Sequence, residues 1–279
     1  MTCKLFLCYH KALDIVPDYC IPIRCGAVLS SHSAETLRDD SGTDNISALN
    51  PFYCELTAIY YAWKNESADY YGFCHYRRFF AFGGSLRRPY LVCGDMKDRK
   101  VLGTRADLER LTKAYDIICP KAEDMGITVR EHYCTSSHHY SEDLNLFLDI
   151  LKKSDPALYY TAKRYLIQSK QYFCNMFIMK KELFIKYCSI LFTVLNQFDS
   201  QKRLHGDFQS DRTDGYLGEI FTGVFIQNAM ENNMTVAEVA RIDTNCSISK
   251  RLAYYVLPPE TKRRFLAKKI AKKHFNKRK

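Results

Sequence analysis

Residues 50–80 read NPFYCELTAIYYAWKNESADYYGFCHYRRFF, and this stretch decides the fold. Asn50 is a helix-capping residue type, and Pro51 suits the first helical position. Phe52, Leu56, Ile59 and Trp63 share one face at helical spacing, which predicts a helix over 51–64. After an acidic turn, 70–76 is a mostly apolar run rich in aromatics. Such a run suits a strand covered on both faces. Arg77 and Arg78 stand where that strand ends. In open α/β sheets, ligands bind beyond the carboxyl ends of strands. A pair of guanidinium forks there matches phosphate oxygens. The competing reading is a surface salt-bridge pair. The buried strand before the arginines and Phe79-Phe80 after them argue against it.

The remaining chain alternates strands and helices in the same way. CKLFLCYH (3–10) reads as a first buried strand ending at Tyr9-His10. Residues 17–50 read as irregular and 81–104 as a surface loop, since both are punctuated by Gly and Pro. Helices are expected over 105–113, 142–153 (capped by Ser141), 156–170, 181–198 and 215–230. Strands are expected at 115–119, 172–179 and 235–242. This alternation predicts an α/β fold with a mostly parallel sheet flanked by helices.

Composition narrows the class. The chain has 279 residues, 47% of them hydrophobic and 14% aromatic, so it can bury a substantial core. The net charge of +10 is unevenly placed. Residues 260–279 hold ten Lys/Arg and one acid, leaving 31 basic and 30 acidic residues in 1–259. RNA binding predicts a basic body surface, and the nearly neutral body argues against it. The boundaries expected are a main domain over 1–258 and a basic amphipathic helical tail over 259–279. In the tail, Phe265, Leu266, Ile270 and Phe275 recur among cations, a pattern that suits anionic lipid. The twelve cysteines contain no CxxC pair and sit mostly in apolar runs, as buried reduced thiols do. No signal peptide and no membrane-length apolar run is visible, so a cytoplasmic protein, peripheral on the inner face of the membrane, is expected.

No glycine-rich phosphate loop, GxSxG elbow or HExxH is present. His132, His138 and His139 cluster without a companion carboxylate at metal-ligand spacing. They read as polar surface or substrate-contacting groups, with metal ligation the weaker alternative.

The blocks CYHK (8–11), DNIS (44–47), NPFYCELTAIYYAWKN (50–65), DYYGFCHYRRFF (69–80), CNMFIMKKELFIKYC (174–188) and R-x-x-GYLGE (212–219) occur in that order. Together, over about 3–230, they resemble a bacterial family long catalogued as a domain of unknown function. That family is found in capsule, exopolysaccharide and O-antigen gene clusters and is regarded as GT-A-like glycosyltransferases. The resemblance implies a GT-A-like, Rossmann-type fold and a UDP-sugar donor, with galactosyl or galactofuranosyl transfer as the substrate class. It also implies a lipid-linked oligosaccharide acceptor. One departure is Ile220, where the family usually has a basic residue.

On that implication, the candidate donor-binding residues are Tyr9, His10, Asn45, Glu55, His75, Tyr76, Arg77 and Arg78. Tyr9 and His10 stand where a uridine can stack. The place of the usual Asp-x-Asp is taken by His75-Tyr76-Arg77. Arginine can neutralise a leaving diphosphate without a metal. No cofactor is therefore expected to be required; a divalent metal, Mn or Mg, with His75 as ligand stays open. Acceptor-binding candidates are Asn175, Met176, Arg212, His138 and His139. Asn175 and Met176 are expected inside the strand 172–179. Inverting transfer needs a carboxylate to take the acceptor's proton. Glu219, read as opening a helix, is the first candidate and Asp207 the second. Expected partners are the donor, the lipid-linked glycan and an anionic membrane surface, with no nucleic acid. A non-catalytic nucleotide-sugar or carbohydrate-binding module is the alternative.

Overall fold

A computed structural model describes residues 1–30, 36–84, 90–92, 99–204 and 212–244, with isolated positions beyond 251. The elements in chain order are β1 (Cys3–Tyr9), β2 (Cys20–Arg24), β3 (Leu37–Arg38), α1 (Asn50–Tyr53), α2 (Leu56–Asn65), β4 (Tyr70–His75), β5 (Arg78–Phe80) and β6 (Tyr90–Val92). Then come α3 (Arg105–Ala114), β7 (Ile117–Pro120), β8 (Glu123–Asp124), α4 (Val129–Thr135), α5 (Ser141–Ser154), α6 (Pro156–Ile167), β9 (Lys170–Gln171) and β10 (Phe177–Lys180). Last are α7 (Lys181–Leu204), α8 (Thr213–Glu231), β11 (Val236–Val239) and β12 (Arg241–Asp243). The basic tail proposed for 259–279 lies almost wholly outside the described residues. Among the described residues no helix is long and apolar enough to cross a membrane.

The main sheet runs β11-β7-β10-β4-β1-β2-β3. It is largely parallel, with β10 antiparallel to both β4 and β7. Helices cover both faces, which explains the continuous apolar strands. Along β1, Phe6 and Cys8 join one core cluster, while Leu5 and Leu7 join the other. Along β4, Tyr71 and Phe73 divide from Tyr70 and Cys74 in the same way. The two strands are in parallel register, with Cys8 opposite His75, so their carboxyl ends finish level. The larger core is built on aromatic contacts: Tyr71 stacks on Phe184 at 4.4 Å, and Phe6 on Phe73 at 5.4 Å. Each ring so buried contributes about 1.5–3 kcal/mol.

Several expectations are corrected. The helix expected over 51–64 is broken in two. A 3-10 turn over Ser47–Leu49 runs straight into α1, so Asn50 is already helical and Leu49 precedes it. The Asn50 amide acts four residues on, donating to Cys54 O at 2.7 Å and Thr57 Oγ1 at 3.3 Å. It thereby fastens the break. Cys54 takes φ 51° and ψ −131°, a region costly for a residue with a Cβ. The strand expected at 172–179 begins only at Phe177. Before it, Cys174 has φ 65°, and Met176 N donates to its carbonyl at 2.7 Å. Asn175 and Met176 thus lie in an irregular turn. Within 17–50, β2 was missed because Pro22 masks a short strand that pairs with β1. Tyr140, not Ser141, precedes α5.

Asn50→Ala removes the side chain that spans the α1–α2 break. It should lower stability by about 1–2 kcal/mol, the cost of losing satisfied bonds to a half-buried carbonyl and hydroxyl. Chemical denaturation of the two proteins measures this; an unchanged midpoint would contradict it.

Candidate active site

Four segments converge beyond the carboxyl ends of β1 and β4. The strand ends bring Tyr9, His10, Lys11 and the run His75–Arg78; the α1–α2 break brings Cys54 and Glu55; Arg212, just before α8, and one face of α8 with Gly215, Tyr216 and Glu219 complete the lining. They enclose a cleft of about 480 Å³, well within the range of small-molecule sites.

The arginine turn is held from both sides. The Arg77 N–H donates to His75 Nδ1 at 3.2 Å. The Arg77 carbonyl accepts from Thr244 N at 2.9 Å and Thr244 Oγ1 at 3.2 Å. Arg77 also lays its guanidinium 4.9 Å over the Tyr76 ring. With Nδ1 accepting, a neutral His75 carries its proton on Nε2. Burial, then Arg78 and Arg77, push its pKa down to about 2, so it stays neutral. His10 packs edge-on against Tyr76 at 5.1 Å. Burial, then Lys11 and Arg77, lower its pKa as well. Lys11, Arg77, Arg78 and Arg212 therefore supply the positive charge. None of the four forms an ion pair among the described residues.

Two carboxylates face these cations. Glu55 precedes α2 and is aimed by the break at Cys54. Its Oε1 accepts from Asn175 Nδ2 at 3.1 Å. The same amide donates to Gly215 O at 3.2 Å, and Asn175 Oδ1 lies 3.2 Å from Thr222 Oγ1. Tyr187 completes this buried chain, 2.8 Å from Thr222. Glu219 sits in the second turn of α8 rather than opening the helix. Burial, then the neighbouring Glu55, push its pKa up to about 7, against the pull of Arg78, the Cys174 N–H and Arg241. A carboxylate poised near neutrality is suited to accepting a proton. Glycines let α8 come this close. A Cβ on Gly218 would meet Leu56 Cδ1 at 2.8 Å, and one on Gly215 would meet Cys54 Sγ at 3.0 Å.

The structure brings Tyr9, His10, Glu55, His75, Tyr76, Arg77, Arg78, Arg212 and Glu219 to one cleft. Other candidates stand elsewhere. Asn45 is used up locally, its amide donating to Gly42 O at 2.9 Å and accepting from Ser47 N at 3.2 Å. Met176 is 2% exposed, packed in the core against β10. Asn175 is buried and reaches the cleft through Glu55 and Gly215, without lining it. His138 is exposed in a turn with φ 62°. His139 stands behind Tyr216, ring centroids 4.0 Å apart. Asp207 lies outside the described residues. Sequence reasoning missed Lys11 and Tyr216. Tyr216 was legible, because Arg212, Tyr216 and Glu219 follow the i, i+4, i+7 spacing of one helix face.

Among the described residues no three His, Cys, Asp or Glu side chains converge to hold a metal. Around His75 the neighbours are arginines and a second imidazole, a donor set ill-suited to a hard cation.

Comparison with curated proteins finds no match. Among solved structures, the chain is similar to the apo structure of WbbM, a bifunctional glycosyltransferase, with a TM-score of 0.77 and 27% identity over 88% of this chain. It covers 46% of that protein, about half its length. The α/β architecture is accordingly that of a GT-A-like glycosyltransferase fold. A family model, domain of unknown function DUF4422, matches residues 4–232, which include every element lining the cleft; the chain belongs to this family.

Proposed function

We propose that the protein is a glycosyltransferase that moves a hexose, of the galactose or galactofuranose class, from a UDP-sugar to a lipid-linked oligosaccharide in surface polysaccharide synthesis. The observation that carries this reading is the cleft itself. Four cations without ion pairs among the described residues face a carboxylate with a pKa near 7, all at the carboxyl ends of β1 and β4. The resemblance to WbbM supports the reaction class. The basic residues of 260–279 are proposed to bring the enzyme to an anionic membrane surface, where such an acceptor is anchored.

In this scheme the uridine lies toward Tyr9 and His10, and the diphosphate on Arg77 and Arg78. The acceptor hydroxyl attacks the anomeric carbon as the bond from that carbon to the diphosphate oxygen breaks. The hydroxyl proton passes to ionised Glu219, and UDP leaves with its charge met by the arginines. Preorganised cations in a partly buried site stabilise that leaving charge without reorganisation at the moment of reaction. Glu55, held by Asn175, is placed to receive a donor hydroxyl. No metal is required in this scheme.

Screening UDP-sugars for acceptor-dependent UDP release tests the reaction. Arg77→Ala should cut kcat/KM for donor by at least about a hundredfold, near 3 kcal/mol, with the fold intact. Normal turnover by the folded variant would sink the assignment.

Glu219 gives a pH signature. Its carboxyl is protonated below its pKa of about 7 and ionised above, so kcat/KM should rise with pH through about 7. Glu219→Gln should remove that limb and lower turnover by about two decades or more while sparing donor affinity. Linkage separates this from unfolding. A pKa raised on folding contributes stability at low pH that is lost as pH climbs through about 7. Relative to wild type, Glu219→Gln should therefore be more stable at pH 8 than at pH 5. A pH profile unchanged by the substitution would transfer the role to another group, with Asp207 next.

A further inference from the structure

We infer that Tyr216 is the platform on which the ring of the acceptor sugar stacks, an assignment that rests on the proposed transferase reading of the same cleft. The argument starts from the position of Glu219. If that carboxylate receives the acceptor's proton, the attacking hydroxyl must lie against it, and the sugar ring bearing the hydroxyl must lie one step away. Tyr216 is three residues earlier on the same face of α8, a rise of about 4.5 Å. Residues three apart on a helix are surface neighbours. Both side chains border the cleft.

The ring is also held as a platform should be. His139 backs it at 4.0 Å and is in turn backed by Tyr133 at 4.5 Å, which is 1% exposed. Burial lowers the pKa of His139 to about 4, so these tilted rings carry no charge at neutral pH. A rigid aromatic face with a negative quadrupole attracts the C–H bonds that line one side of a sugar ring. It also loses little side-chain entropy on binding. The nucleotide side of the cleft has its own ring in Tyr76, already covered by Arg77 and edged by His10. Two aromatic walls thus flank the carboxylates, one at the strand ends and one on the helix.

The test measures two ligands on the full chain. One is UDP, by calorimetry; the other is octyl β-D-galactopyranoside, by saturation-transfer NMR titration with UDP present. Tyr216→Ala should weaken the glycoside by at least about tenfold, and Tyr216→Trp should keep it within about threefold. Neither variant should change the UDP affinity, which also reports that both fold. Unchanged glycoside binding in Tyr216→Ala would overturn the platform, as would an equal loss for UDP or a wild type that ignores the glycoside. If the wild type binds the glycoside through Tyr216 but not UDP, the platform stands and the transferase reading fails.

Discussion

The side chain of Asn175 is the tie on which the site depends. One buried amide reaches Glu55 at the α1–α2 break and the carbonyl of Gly215 on α8, from the turn that leads into β10. These three segments are far apart in sequence. A buried amide left without partners costs about 1–3 kcal/mol, so each partner constrains the other two. The irregular turn before β10, the strained backbone at Cys54 and the glycine-lined approach of α8 then follow as conditions for that amide to be satisfied. Local strain maintained by surrounding order is a common property of functional sites.

Charge explains the rest of the cleft. Lys11, Arg77, Arg78 and Arg212 outnumber Glu55 and Glu219, and the two imidazoles at the strand ends are driven neutral by burial and by those same cations. A site with that balance favours a ligand bringing two or more negative charges. The ligand's charge would in turn raise the proton affinity of its surroundings, including Glu219. Acceptor chemistry and donor binding are therefore electrically linked in this account. In the proposed scheme the surplus positive charge would give arginine the role usually left to a divalent ion.

Much of this was legible in the sequence for physical reasons. Tyr70–His75 could be read because a strand buried on both faces must be apolar throughout, and the arginines after it mark where burial ends. Glu219 could be read only as a charge near a helix start; its raised pKa comes from burial, then from Glu55, and both are tertiary effects. The break at Cys54 was not legible, because Asn50 and Pro51 favour a helix start locally, while α8 packs against the break at Gly215 and Gly218 from far along the chain. Asn45 was misplaced because an Asn two residues before a turn satisfies its own loop as readily as a ligand. Met176 and Asn175 were assigned to a strand because their apolar neighbours continue into one, and nothing local reveals the left-handed Cys174.

The central claim is that the arginine turn binds a diphosphate without a metal. Calorimetric titration of the full chain with UDP and with uridine, both in EDTA, tests it most directly. The two ligands share the base and ribose and differ in the phosphates. The account predicts that UDP binds at least about a hundredfold more tightly than uridine, roughly 2.7 kcal/mol, and that added salt narrows the gap. Equal affinities in EDTA, with the UDP advantage restored only by manganese or magnesium, would contradict it.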